Sequence, residues 1–597
     1  MVKPRWFRPG LLVGVVATVG LLMAVACGEA EDPTPTATPT RAPATPTPTA
    51  TPTVPAVVAT PTPTVSAVVA TPTPTKVAMP EGVKAQTGIK RGGVVKVSGS
   101  VKMAHYDLHQ STTINNIMPQ GAMYNSLVRM DPPTLKKVIP DLAKSWEVSA
   151  DGLTYTFHLE EGVKFHDGTP FTADDVVATY NRIIWPPAGV LSPRQGHFAA
   201  VERVEAVNPL TVRFTLARRS AFILQALAQD FNAIVSKKAL EANDYDLRRV
   251  PDHPGTGPFR SVRVTIGEIW VQERNPDYWN EGLPYLDEVH HLNVTSGPAR
   301  GAAVQTGQAD YAFSGVTPEF LAIAEKDPNF EGFVSPSSSA RSIYFNLSRK
   351  PWDDIRVRRA VQLVTDNQAL TDVAEDQGVF PVGEWVVPPP VGQWMTVEEF
   401  EKVMKSPGYR SPTVEDIAEA KRLLAEAGYP DGMTNVDLLI RAQRFWTEAF
   451  APAFSDMLRR NLNIDVVIKP SETSVWYDEV ALKDFDISMG ASLGTIEDPS
   501  DYWNQFFRTG AGQNYSGYSN PDFDAVMDQI DQELDVARRM ELVMQGRAML
   551  EADLPIIIHG WSAYTSIWRS DVKGLYRETY GLYCGGFIRL DQVWLDR

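Results

Sequence analysis

From residue 153 to residue 159 polar and apolar side chains alternate, with Tyr155, Phe157 and Leu159 on one face and Thr154, Thr156 and His158 on the other. A period of two predicts a half-buried β-strand. Residues 210–216 repeat it, Val212, Phe214 and Leu216 opposing Thr211, Arg213 and Thr215. A first strand is expected at Val94-Val95-Lys96-Val97, after the Gly92-Gly93 turn. The period then changes. Thr172 with Asp175, and Thr413 with Asp416, have the spacing of capping boxes that open helices. The second is followed by Ile417, Ala420, Leu424 and Ala427 at helical spacing, and by Gly428 where a stop is expected. Apolar runs at 436–440 and 464–468 have strand length, with a helical stretch near 447–461 between them. Strands alternating with helices predict α/β layers.

The 597 residues exceed one ordinary core and imply several domains. At the N-terminal end Lys3, Arg5 and Arg8 precede an apolar run, 11–26, which small residues close before Cys27. That order describes an export signal, and the run is short for a spanning helix of about 20 residues. Leu22-Met23-Ala24-Val25-Ala26-Cys27 resembles a bacterial lipobox, with Ala24 where Leu is usual. Residues 1–27 are therefore expected to be a lipoprotein signal peptide with Cys27 as the lipidated residue; the alternative is a plain cleaved signal with an incidental cysteine. Residues 28–87 are dominated by Pro, Thr, Ala and Val, with near-copies at 54–61 and 65–72. Proline fixes φ and removes donors, so this stretch is expected to be a disordered stalk. The expected location is the cell envelope, on the outer face of the cytoplasmic membrane or in the periplasm. The formal net charge of −16 argues against nucleic acid as a partner.

Candidate chemistry is sparse. Gly490-Ala491-Ser492-Leu493-Gly494 fits the nucleophile-elbow pattern, with His559 downstream as a conceivable partner. An elbow needs a helix directly afterwards, and Pro499 is expected to discourage one through Asp498. His290 and His291 are adjacent in an expected strand, 288–294, and so point to opposite faces. His105 and His109 have i, i+4 spacing without a helical pattern around them. No metal site, no cofactor and no catalysis are expected.

Beyond residue 90 the motifs resemble the family 5 extracellular solute-binding proteins, the dipeptide, oligopeptide and nickel binding components of ABC importers. The longest shared block begins at Pro140-Asp141-Leu142-Ala143-Lys144-Ser145-Trp146 and runs through Phe165-His166-Asp167-Gly168-Thr169-Pro170-Phe171 to Val176. Gly255-Thr256-Gly257-Pro258-Phe259, Arg274-Asn275-Pro276-Asp277-Tyr278-Trp279, Asp354-Ile355-Arg356-Val357-Arg358-Arg359-Ala360 and Tyr518-Ser519-Asn520-Pro521-Asp522-Phe523 follow in the family's order. Read physically, Asp167-Gly168 is a hairpin signal flanked by Phe165 and Phe171, and Gly255 and Gly257 are expected to supply φ values closed to other residues.

The resemblance implies an α/β, two-lobed periplasmic-binding-protein-like fold with an extra third domain and a hinged ligand cleft. It places lobe I at 90–129, 203–315 and 555–597, the extra domain at 130–202 and lobe II at 316–554. It implies capture of a small-molecule or peptide ligand by lobe closure, and delivery to ABC permease subunits. Peptide-binding members hold the ligand's amino group with an Asp four residues before a Pro. Here Thr495 stands in that place and Ser492 three residues earlier, where those members have an aromatic residue. A hydroxyl gives an ammonium no charge-assisted bond, which leaves Glu497 and Asp498 as the nearby carboxylates. Tyr106, after the first strand, and Trp385, in a Pro- and Gly-rich loop, are expected as apolar platforms, and Arg341 as a cleft-facing cation. The competing readings are an exported serine hydrolase using Ser492 and a surface chaperone or adhesive module.

Overall fold

The two alternating segments become neighbouring strands. Thr154–Leu159 and Thr211–Leu216 pair antiparallel, Tyr155 opposite Phe214 and Phe157 opposite Val212, so their apolar faces coincide. Ala143–Val148 and Val201–Asn208 flank them in a four-stranded antiparallel sheet. The helix Ala173–Ile184 opens with the expected capping box at Thr172 and Asp175. It lays Tyr180 edge-on to Phe214, with ring centroids 5.1 Å apart. The hairpin at 201–216 thus shares one core with the helix Ala173–Ile184, and this sheet runs past residue 202, the limit that the resemblance implied for the extra domain. The computed structural model describes residues 79–99, 103, 105–111, 114–134, 137–313, 316–375, 397–442, 445–494, 498–575 and 589–597. Cys27, Trp385, Thr495 and Glu497 lie outside them, as do the signal and most of the stalk.

The second sheet has ten strands, in the order Ile464–Ser471, Met433–Arg441, Ile487–Leu493, Phe330–Phe345, Ile556–Arg569, Tyr311–Ala312, Val94–Gly99, Glu288–Asn293, Ile269–Arg274 and Phe259–Thr265. Two of these are long. Phe330–Phe345 has 16 residues and Ile556–Arg569 has 14, and they pair antiparallel. Their pairing is continuous from Phe330 to Pro336, breaks, and resumes at Ala340, with a second irregularity between Arg341 and Ser342. The core changes across that break. Phe333 packs against the cluster of Val95, Val97, Leu286 and Trp568. Ile343, Tyr344 and Phe345 join a separate cluster with Trp352, Phe450, Trp476 and Ile556. The chain therefore passes between the two cores inside these two strands. Irregularities of this kind bend a strand and increase its local twist.

The helix Val414–Glu426 begins with the capping box of Thr413 and Asp416. Phe445–Leu462 connects the parallel strands Met433–Arg441 and Ile464–Ser471, the kind of crossover that parallel pairing needs. Gly168 adopts φ +81° in the expected turn, and Phe165 and Phe171 meet edge to face at 6.2 Å. Gly255 and Gly257 have a different cause from the one expected: neither has positive φ. A Cβ on Gly255 would lie 1.9 Å from the Met123 carbonyl oxygen, and one on Gly257 2.3 Å from the Met123 carbonyl carbon. They are glycines because two backbones touch. Among the described residues no helix is long and apolar enough to cross a membrane.

Candidate functional site

Met433–Arg441 runs parallel to both Ile464–Ser471 and Ile487–Leu493, so three strands end at one edge. In the other lobe Val94–Gly99 is parallel to Glu288–Asn293 and Tyr311–Ala312. Ligands of open α/β sheets bind at the carboxyl ends of such strands. Both lobes therefore present a binding edge. In the first lobe, a Cβ on Gly99 would meet the Met118 methyl at 2.1 Å, so Met118 lies across the end of that strand.

At the second lobe's edge Arg441 closes its strand and is buried, 7% exposed. Its guanidinium lies 5.5 Å from the Trp476 ring centroid and 5.1 Å from that of Tyr477. Its Nε has no hydrogen-bond partner. The backbone beneath it is fixed: the Thr447 hydroxyl donates to the Arg441 carbonyl at 2.6 Å, and the Ala442 N–H to the Ser471 carbonyl at 2.8 Å. Trp476 is fixed too, its Nε1–H donating to Ser488 Oγ at 3.1 Å. Gly490 makes room for this ring, since a Cβ there would approach Trp476 to 2.4 Å. Sequence reasoning passed over Arg441, Trp476 and Tyr477. The available signal was a cation ending the otherwise apolar run Leu438-Leu439-Ile440.

Ser492 is buried inside the strand Ile487–Leu493. Its hydroxyl bonds the Tyr502 phenol and lies 3.3 Å from Ser342 Oγ. Burial raises the phenols of Tyr502 and Tyr344 above their ordinary values, so both remain neutral. A helix does begin at Pro499, against expectation, because proline is well suited to a first helical position and Asp498 caps it, accepting from the Ser500 N–H at 2.9 Å. Ser492 nevertheless sits within a strand and not on a strand-to-helix turn, so the nucleophile reading has no geometric support. His559 is buried with its ring edge-on to Phe450 at 4.9 Å, and burial, with Arg341 nearby, lowers its pKa to about 3.

Asp498 is an ion-pair partner as well as a cap. Both of its oxygens bind Arg539, one at 2.6 Å, and Arg539 also donates to Ser500 Oγ at 2.9 Å. Arg341 lies opposite Ala491 and Gly560, next to Ala340, which faces Ser492. Arg341 and Ser492 are thus brought close on paired strands, and Asp498 follows at the next helix. Tyr106 belongs elsewhere. Its ring meets Trp270 edge-on at 6.0 Å in the cluster around Leu108 and Leu247, and its N–H donates to the Arg248 carbonyl at 3.0 Å. The histidine pairs behave as strand geometry dictates. His291 is buried while His290, on the other face, reaches Glu288 at 2.6 Å. Residues 105–111 form turns rather than a helix, which separates His105 from His109.

Comparison with known proteins agrees with this architecture. Residues 137–514 match the family model of bacterial extracellular solute-binding proteins, family 5 Middle. The glutathione-binding protein GsiB of Salmonella paratyphi A is 34% identical over 314 residues, 52% of this chain and 57% of that protein; its counterpart from Escherichia coli O157:H7 matches equally. The chain thus spans little more than half the length of these relatives. Among solved structures, DppA of Helicobacter pylori in complex with the peptide STSA superposes with a TM-score of 0.73 at 24% identity, covering 85% of this chain and 99% of that one. AgaA of A. tumefacien R10 in complex with agropinic acid gives 0.74 at 23%, with the same coverage. The fold is the two-lobed periplasmic-binding-protein fold with a third domain. The chain belongs to the bacterial extracellular solute-binding proteins, family 5.

Proposed function

We propose that this protein is the extracytoplasmic binding component of an ABC importer, which captures a small peptide-like solute between its lobes and delivers it to membrane permease subunits. The observation that carries this reading is the pair of long strands, Phe330–Phe345 and Ile556–Arg569, which pass between two cores and lose register where they cross. Two short, irregular connections are the hardware of hinge closure. A solute that touches both edges favours the closed form by the difference in its affinity for the two states. Family membership and the glutathione and peptide ligands of relatives support the ligand class. Asp498, held by Arg539, fixes the start of the helix Pro499–Phe506; Thr495 and Glu497, with Ser492 and Arg341, contribute polar contacts to the solute, and Trp385 an apolar one. Cys27 carries the lipid anchor, and residues 28–87 form the stalk above the membrane.

Native mass spectrometry of the full chain, purified without refolding, tests the capture function. A discrete mass of a few hundred daltons, lost on denaturation, is expected. Absence of such a mass, together with no binding of glutathione or short peptides, would overturn the reading.

A further inference from the structure

We propose that His197 and Asp501 form a clasp that holds the closed form together, made by side chains that no solute touches. The inference deepens the closure reading above by naming residues that position the closed form. His197 Nε2 meets Asp501 Oδ1 at 2.5 Å, and both side chains are 0% exposed. The two come from different cores. His197 lies in the short helical turn Gln195–Phe198, whose Phe198 packs with Tyr180 and Phe214. Asp501 lies in the helix Pro499–Phe506, whose Tyr502 and Trp503 pack with Trp352 and Phe450. A second contact joins the same two bodies. The Ala221 N–H donates to the Asp531 carbonyl at 2.8 Å, and the neighbours of this pair, Phe222 and Ile530, divide between the same cores. None of these residues belongs to the two long strands at the hinge.

The chemistry of this seam is that of two surfaces laid together. Ser220 Oγ, Asn504 Oδ1 and His197 Nδ1 are buried along it without a hydrogen-bond partner. A permanent core satisfies such groups, and here water would satisfy them once the bodies part. Polar contacts between domains leave relative motion as the default. Each half of the clasp is also fixed by its own body. Phe198, next to His197, meets Tyr180 edge to face at 5.5 Å. Gln505, one helical turn beyond Asp501, donates to its Oδ1 at 2.6 Å. Joining the halves therefore needs a rigid-body approach and freezes little side-chain freedom. A carboxylate is rarely buried unless it is paired, so sealing Asp501 into the seam requires His197 opposite it. Because both groups are sealed from the cleft, the clasp adds the same stability to the closed form whatever solute is held, and it slows reopening.

Diethyl pyrocarbonate labelling of the full chain tests this without any solute. The reaction is run at about pH 8, where an exposed imidazole is neutral, and each histidine's rate is read by peptide mass spectrometry and divided into its rate in urea. His158, 37% exposed, is the open reference. His291 and His559, each buried within one lobe, are the references that open only on unfolding. In wild type His197 is expected to be protected about 10- to 1000-fold, as for an open form populated at roughly 10% to 0.1%, and less than His291 and His559. Asp501→Asn is expected to lower that protection about tenfold while His291 and His559 keep theirs. Protection of His197 equal to that of His291 and His559 in wild type means a permanent seam and overturns the clasp. Protection no greater than that of His158 means that the contact is not made, and overturns it too. So does a seam that opens at the same rate in Asp501→Asn. If the variant exposes His291 and His559 as well, it has unfolded, and the wild-type comparison decides. No outcome here depends on a bound solute, so the clasp and the capture function fail separately.

Discussion

Replacing Asp230 with Asn should stabilise the protein, and should do so only above acidic pH. Asp230 is fully buried where the extra domain meets the C-terminal segment, among Arg129, Arg589, Asp141 and Asp591. Each arginine already has a carboxylate: Arg129 meets Asp591 at 2.9 Å and Arg589 meets Asp141 at 2.6 Å. Asp141 also accepts from Asn125 at 3.0 Å and from the Ser126 N–H at 2.9 Å. Asp230 is the surplus anion, 3.6 Å from Arg589, with one oxygen lacking any hydrogen-bond partner. Burial, only partly opposed by the two arginines, raises its pKa from 3.8 to about 7. The unfolded chain therefore releases this proton from about pH 4 upward, while the native state holds it until about 7. Stability contributed by the neutral form is complete below 3.8 and lost as pH rises to about 7. Roughly three pH units correspond to about 4 kcal/mol. Asn keeps the shape without the charge. Urea unfolding of the full chain, followed by tryptophan fluorescence, should find Asp230→Asn and wild type equal near pH 4. The variant should gain up to about 4 kcal/mol by pH 8. A variant that is no more stable at pH 8, or a gap that does not widen with pH, would refute the reasoning.

His291 is buried with both ring nitrogens unpartnered, and burial lowers its pKa to about 3. His291→Leu should add about 1–3 kcal/mol at pH 7. Its advantage should widen as pH falls below 6.5, because the unfolded imidazole takes a proton that the native one refuses until about 3; acid-unfolding curves measure this. Asp498→Asn strips Arg539 of its charge partner and should cost about 3–5 kcal/mol in chemical denaturation. An unchanged midpoint would mean that the pair is not formed. Gly257→Ala should cost about 3 kcal/mol, read as a lowered melting temperature, because its methyl meets the backbone of residues 122–124.

Legibility in the sequence followed the range of the interactions. Alternation in 153–159 and 210–216, and the boxes at Thr172 and Thr413, are local rules, and the structure follows them. The crossing points were not legible, because strands of 16 and 14 residues serving two cores carry no motif at the break. The glycines at 255 and 257 were visible, but their cause, the Met123 backbone, is more than 130 residues away in the chain. The same limit applies to the site. Asp498 was noticed as a free carboxylate, and its partner Arg539 lies on a helix far along the chain. Arg441 drew no notice because an arginine at the end of a strand reads as a surface residue until the rings of Trp476 and Tyr477 are placed beside it.

The central claim is that a solute closes two lobes about the strands that join them. Dyes attached to cysteines at Val262, on the strand Phe259–Thr265 of the first lobe, and Val414, on the helix Val414–Glu426 of the second, both exposed, report that motion in the full chain with Cys27 and Cys584 changed to Ser. Single-molecule energy transfer should show a broad distance distribution without ligand. It should shift and narrow on saturation with the bound solute found by native mass spectrometry. A distribution that stays unchanged while calorimetry shows the solute fully bound would contradict the account.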